Sequence, residues 1–142
     1  MTMEDVLAVL KRAREKRLML QRQEDALAAS IEKAQLRGVS FGERVQTSTK
    51  ATLDSALESI EEERQRLAEI RGEADRLTED AKALIDHLDR SSIVYGILWH
   101  RYILCHGWGQ IARDFHYGKS SIFRMAMAGV VEISEKMGHV GT

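Results

Sequence analysis

Residues 50–89 read KATLDSALESIEEERQRLAEIRGEADRLTEDAKALIDHLD, and Leu53, Ile60, Leu67, Ala74, Ala81 and Leu88 recur in this stretch at a strict seven-residue interval. Ala56, Ile70, Leu77 and Leu84 each follow three residues behind, with Glu63 the one misfit. A 3–4 alternation sustained in this way lays one apolar seam along a helix and leaves charged residues on the remaining faces. That is the pattern of a coiled coil.

Upstream, residues 3–36 predict a second long helix. Val6, Ala13, Leu20, Leu27 and Ala34 again recur every seven residues, flanked by Leu10 and Ile31, and no helix breaker intervenes before Gly38. Residues 37–49, RGVSFGERVQTST, read as a loop punctuated by Gly38 and Gly42, with Ser48 or Thr49 placed to cap the helix that follows. At ~1.5 Å per residue the two helices run roughly 50 and 60 Å, and similar lengths joined by a short loop predict an antiparallel hairpin. Two helices alone bury little surface, so residues 1–89 are expected to act as an oligomerisation hairpin in a homo-oligomer. The alternative is that the hairpin packs on its own C-terminal domain.

The bulk composition agrees with an all-α fold class. The 142 residues contain no proline, where average usage would supply about 5%, and proline is the residue that interrupts helices. The most apolar stretch, Ile93 to Leu104, is too short for a bilayer span, and the opening residues do not resemble a signal peptide; no membrane partner is expected. Cys105 stands alone, which excludes a disulfide framework and suits a reducing interior. Net charge is −1 but uneven: the middle of the chain is acidic, whereas residues 90–142 carry six Lys/Arg against three Asp/Glu. A basic surplus at one end fits either chance surface variation or contact with a polyanion.

Both tryptophans and all three tyrosines lie beyond Asp89, which marks residues 90–142 as a compact second domain. Ser91 or Ser92 can cap a first helix running through Cys105 and apolar on most sides. It includes Ile93, Val94, Ile97, Leu98, Trp99, Tyr102 and Ile103. Residues 108–127, WGQIARDFHYGKSSIFRMAM, then carry the spacing of a helix-turn-helix. Ile111 and Ala112 form the buried pair, Phe115 and Tyr117 flank the turn, and Ile122 and Met125 face inward from the second helix. The outward face would present Lys119, Ser120, Ser121, Phe123, Arg124 and Met127 to double-stranded DNA. Arg124 can form a two-pronged hydrogen bond to guanine, Lys119 and Ser120 suit a phosphate or base edge at the helix start, and Phe123 and Met127 suit thymine methyls.

The segment RYILCHGWGQIARDFHYGKSSIFR resembles the C-terminal part of phage late-gene transcriptional regulators of the ArpU/RinA kind, which are themselves similar to region 4 of sigma factors. Arg101, Tyr102, Ile103, Trp108, Ile111, Ala112, Tyr117, Ser120 and Arg124 fall at matching places, as do Gly42, Glu43, Arg44, Val45 and Gln46 between the N-terminal helices. The resemblance covers about residues 3–133 and implies a phage or prophage protein acting in the cytoplasm of a bacterial host. It departs from the pattern at Gly107 and Gly118, where serines would cap the two helices, and at His116, where glycine makes the turn.

Other chemistry is set aside. His100, Cys105, His106 and His116 match no familiar zinc spacing, and adjacent Cys105 and His106 would point apart. No third group orients a catalytic Cys–His pair, and no glycine-rich phosphate loop occurs. The sequence therefore predicts no enzyme, metal, cofactor or small-molecule substrate. Three readings stay open: a dimeric DNA-binding regulator, a ring-forming DNA-packaging adaptor, and a sigma-like module docking on RNA polymerase. The last residues, Lys136 to Thr142, read as a frayed tail.

Overall fold

The computed structural model describes residues 1–40 and 47–140, with side chains described for residues 1–36 and 53–138. It is all-helical: a helical hairpin followed by a small helical domain, with no strand among the described residues. The elements are α1 (Met3–Ser40), α2 (Thr47–Ile85), α3 (Ile93–Leu98) continued by a π-helical turn (Trp99–Ile103), α4 (Trp108–Phe115) and α5 (Lys119–Val140).

Helix α1 runs past its expected end, whereas α2 starts earlier than expected, at Thr47, and stops at Ile85, short of the expected residue 89. Helix α1 starts with a reciprocal cap in which Thr2 Oγ1 accepts from the Asp5 N–H at 3.2 Å and the Asp5 carboxylate accepts from the Thr2 N–H at 3.0 Å. Those bonds favour the ionised carboxylate and hold Asp5 below the usual range. Helix α2 begins at Thr47, so Ser48 and Thr49 lie inside it rather than capping it. The segment Gly42–Gln46, which carries part of the resemblance, lies outside the described residues.

The chain forms two compact units, neither bounded at residue 89. The first joins Met1–Leu18 to Glu73–Thr142; the second is Met19–Gly72. In the first unit Val6, Leu10 and Ala13 share one core with Ala81, Ile85, Leu88, Ile97, Leu98, Ile111, Ile122, Val130 and Ile133. The start of α1 and the end of α2 thus supply a wall of the core beneath the C-terminal helices. Polar contacts tie that wall together: Lys16 pairs with Glu73 at 3.1 Å, and Arg17 reaches Asp75 at 3.0 Å and the Thr78 hydroxyl at 2.9 Å.

Ser92 caps α3 as expected, its hydroxyl accepting from the Tyr95 N–H at 3.2 Å. Asp89 fixes that corner by accepting from the Ser91 N–H and hydroxyl, which lowers its pKa. The helix expected to reach Cys105 instead ends in the π-helical turn, and Cys105 takes a left-handed φ of 63°. Helix α5 crosses α3 at Gly129, where a Cβ would collide with Val94 Cγ1 and come within 3.0 Å of Leu98 Cδ1. Only glycine permits that approach.

Of the expected tail, residues 136–140 continue a helix, and residues 141–142 lie outside the described residues. Helix α5 runs to Val140, Met137 packs against the core, and Lys136 Nζ donates to the His87 carbonyl at 2.6 Å. That bond satisfies a carbonyl just past the end of α2, where cations are favoured.

In the second unit, the stretches from α1 and α2 are joined by an Arg71–Glu24 pair at 2.9 Å. Leu20 and Leu67 are buried, whereas Leu27, Leu53, Ala56 and Ile60 are only half-covered. Glu63, the misfit in the seam, turns its carboxylate to Arg66 at 2.9 Å.

Candidate nucleic-acid interface

Helices α4 and α5 meet through a tight turn. His116 takes φ 59° and ψ 41°, and its N–H reaches the Arg113 carbonyl at 3.3 Å. The Tyr117 N–H donates to the Ala112 carbonyl at 3.0 Å, so two carbonyls at the end of α4 are satisfied. Histidine thus adopts the left-handed backbone expected of it in place of glycine. Gly107 precedes α4 in extended backbone (φ −75°, ψ 157°) without a side-chain cap, and the Gly118 carbonyl accepts from the Ile122 N–H at 3.0 Å as α5 begins.

The inner face of the pair is buried. Ile111 and Ile122 are fully covered, Ala112 and Ala126 nearly so, and Met125 is half-buried. With that face fixed, helical periodicity turns Lys119, Ser120, Phe123 and Arg124 outward, and all four are exposed. Together with Trp108 they line one shallow surface concavity. Ser121 and Met127 do not share that exposure; both are half-buried. Met127 instead lines a groove with Leu7, Lys11, Arg14 and Arg101, because the start of α1 packs beside this stretch of α5. It is therefore a poor candidate for touching a thymine methyl.

An aromatic column supports the exposed face. Trp108 meets Phe123 edge-on with ring centroids 5.6 Å apart, and the Arg101 guanidinium lies 4.4 Å from the Trp108 ring centre. Next to it the groove contains Lys11, Arg14 and Arg101. Burial, and then repulsion from Arg14, lowers the pKa of Arg101. The Nε atoms of Arg14 and Arg101 are buried with no hydrogen-bond partner among the described residues. With Glu15 the one acidic residue in its lining, this groove has a surplus of positive charge beside the exposed turn of α5, which suits a phosphate backbone.

Sequence reasoning did not reach Lys11, Arg14 or Arg101 as parts of a site. The first two lie on a helix assigned only to assembly, and nothing local in the sequence says that α1 packs beside α5. Nor did spacing bring together His100, His106 and Asp114, whose ligand atoms lie within 4.8 Å of one another. No helix among the described residues is long and apolar enough to cross a membrane. No protein-family profile, curated protein or solved structure matches the chain.

Proposed function

We propose that the chain is a phage-type, DNA-binding transcriptional regulator with a sigma region-4-like helix-turn-helix. In this reading it binds double-stranded DNA through α5 and acts in the cytoplasm of a bacterial host. The observation that supports it most is the pairing of a buried Ile111–Ala112–Ile122 face with an exposed Lys119, Ser120, Phe123 and Arg124 face across a left-handed turn at His116. Arg124 reads a base edge in the major groove, Lys119 and Ser120 fix the helix start on the backbone, and Lys11, Arg14 and Arg101 neutralise flanking phosphates. If six to eight phosphates are engaged, log affinity falls against log salt with a slope of about −5 to −7.

The half-covered hairpin supports self-association. Two grooves flank it in the second unit, one of mixed lining and one mostly apolar, both bordered by Ala34, Leu53 and Ile60, and Leu36 and Leu57 stand about 60% exposed. A dimer presents two reading helices to two half-sites and gains affinity by tethering. The same grooves favour a second reading, a ring-forming DNA-packaging adaptor with little sequence preference.

The decisive experiment is selection of genomic DNA fragments by the purified protein, repeated with Arg124→Ala. Recovery of one site by the parent and loss of it by the variant supports the regulator. Salt-insensitive binding, or no enrichment of any fragment, counts against DNA recognition. Light scattering separates the assemblies: two subunits fit the regulator, eight or more the packaging ring.

A further inference from the structure

We infer that His100, His106 and Asp114 form a binding site for a divalent transition-metal ion, zinc by ligand preference, that fastens the linker before α4 to both of its neighbouring elements. The three residues come from the π-helical turn, the linker and the penultimate position of α4. His100 Nδ1 and His106 Nδ1 lie 3.2 Å apart, and one carboxylate oxygen of Asp114 lies within 4.8 Å of each histidine's ligand atom.

The separation of the two imidazole nitrogens is that of a ligand pair. Zinc–nitrogen bonds of about 2.0–2.1 Å at tetrahedral angles put two nitrogens roughly 3.3 Å apart. A hydrogen bond between two neutral rings would give the same separation, one ring donating and the other accepting; the carboxylate of Asp114 converging on the pair is what favours an ion. Asp114 is exposed and its side chain is able to turn; the site requires its carboxylate to come within about 4.2 Å of each nitrogen, twice an ordinary zinc–ligand bond. Two imidazoles and one carboxylate match zinc, cobalt or nickel better than magnesium or calcium, which take oxygen ligands. Three protein ligands would leave a fourth position on the ion for water.

Both histidines are already held in place. The His106 N–H donates to the His100 carbonyl at 2.8 Å, and the His106 carbonyl accepts from Arg101 at 3.3 Å, so the linker backbone is fixed on both sides. The His100 ring packs edge-on against Phe115, centroids 5.1 Å apart. The left-handed backbone at Cys105 separates the two neighbours: its thiol points to the Arg14 and Ile103 carbonyls, so Cys105 is not a ligand. That arrangement also explains why sequence spacing hid the site. The π-helical turn and the left-handed residue bring together two histidines that a regular helix, at ~100° per residue, would turn apart.

The test is titration of tag-free, metal-stripped full-length protein with cobalt(II), read by visible absorption, and with zinc, read by calorimetry and thermal melting. The expected result is one ion per chain, visible cobalt ligand-field bands that appear as the site fills, and a rise in Tm with zinc in excess. His106→Gln abolishes these signals, Asp114→Asn weakens binding at least ~10-fold, and Cys105→Ser leaves it intact. Asp114→Asn is the variant least able to disturb folding, and circular dichroism checks each protein for helix. Absence of any binding, or binding unchanged in both His106→Gln and Asp114→Asn, overturns the site. Neither readout involves DNA, so its failure leaves the proposed function untouched.

Discussion

Arg14 of α1 and Arg101 of the π-helical turn line one groove, and each buries an Nε that finds no acceptor among the described residues. Like charges brought together in this way raise the local potential and favour an anion that can accept from both. Arg14→Gln should therefore weaken DNA binding about 3- to 10-fold regardless of sequence and make the salt slope about 0.9 shallower, the share of one phosphate. Fluorescence anisotropy at several salt concentrations measures both. An unchanged slope would show that α1 lies off the DNA path.

Arg124→Ala should behave differently. Arg124 is exposed on α5 beside Lys119 and Ser120, and a two-pronged bond to guanine is worth about 1–3 kcal/mol of discrimination. The variant should lose roughly 5- to 150-fold for the selected site and little for random duplex. Equal losses on both DNAs would reassign Arg124 to the backbone.

The contrast between those two arginines shows what the sequence can and cannot reveal. The outward direction of Arg124 follows from Ile111 and Ile122 being apolar at fixed offsets, a local relation that helical periodicity carries. The heptad residues Leu67, Ala74, Ala81 and Leu88 are buried for the same reason. Arg14 joins Arg101 only through tertiary packing, and Met127 loses its outward exposure through that same packing. The histidine pair depends on a π-helical turn and a left-handed cysteine, neither of which has a residue signature here. The run of Lys, Gly and His at the end of α5 carries no local helix signal, and the His87 carbonyl that Lys136 meets is distant in sequence.

Self-association should depend on the apolar flank of the second unit. Leu57 is 58% exposed and borders a groove with Ile31, Leu53 and Ile60. Leu57→Glu places a charge where a second copy would cover it, and desolvating that charge is costly. Light scattering should show the mass falling towards one chain. The same mass in the variant would place the contact elsewhere.

Gly129 offers a stability test with an internal control. Alanine is favoured over glycine in a helix by about 1 kcal/mol, but at 129 its Cβ meets Val94 and Leu98. Overpacking costs about 1–3 kcal/mol, so Gly129→Ala should destabilise by up to ~2 kcal/mol. Gly72→Ala meets nothing within 4 Å and should stabilise by about 0.5–1 kcal/mol. Urea melts of the pair separate packing from propensity. A stabilising Gly129→Ala would mean that α5 does not approach α3 so closely.

Cys105 should report folding through its ionisation. Burial raises the thiol pKa, and Arg14, Arg17 and Arg101 offset that only in part. A thiol raised in the folded state contributes stability below its unfolded value of about 8.5, and that contribution is lost as pH climbs through the higher folded value. At pH 8 the folded protein should therefore react with an aromatic disulfide more slowly than the urea-unfolded chain, since the thiolate is the nucleophile. The gap in thiolate fraction should narrow once pH passes the folded pKa. Equal rates at pH 8 would indicate a thiol open to solvent, and the left-handed turn at Cys105 would then not hold it against the Arg14 carbonyl.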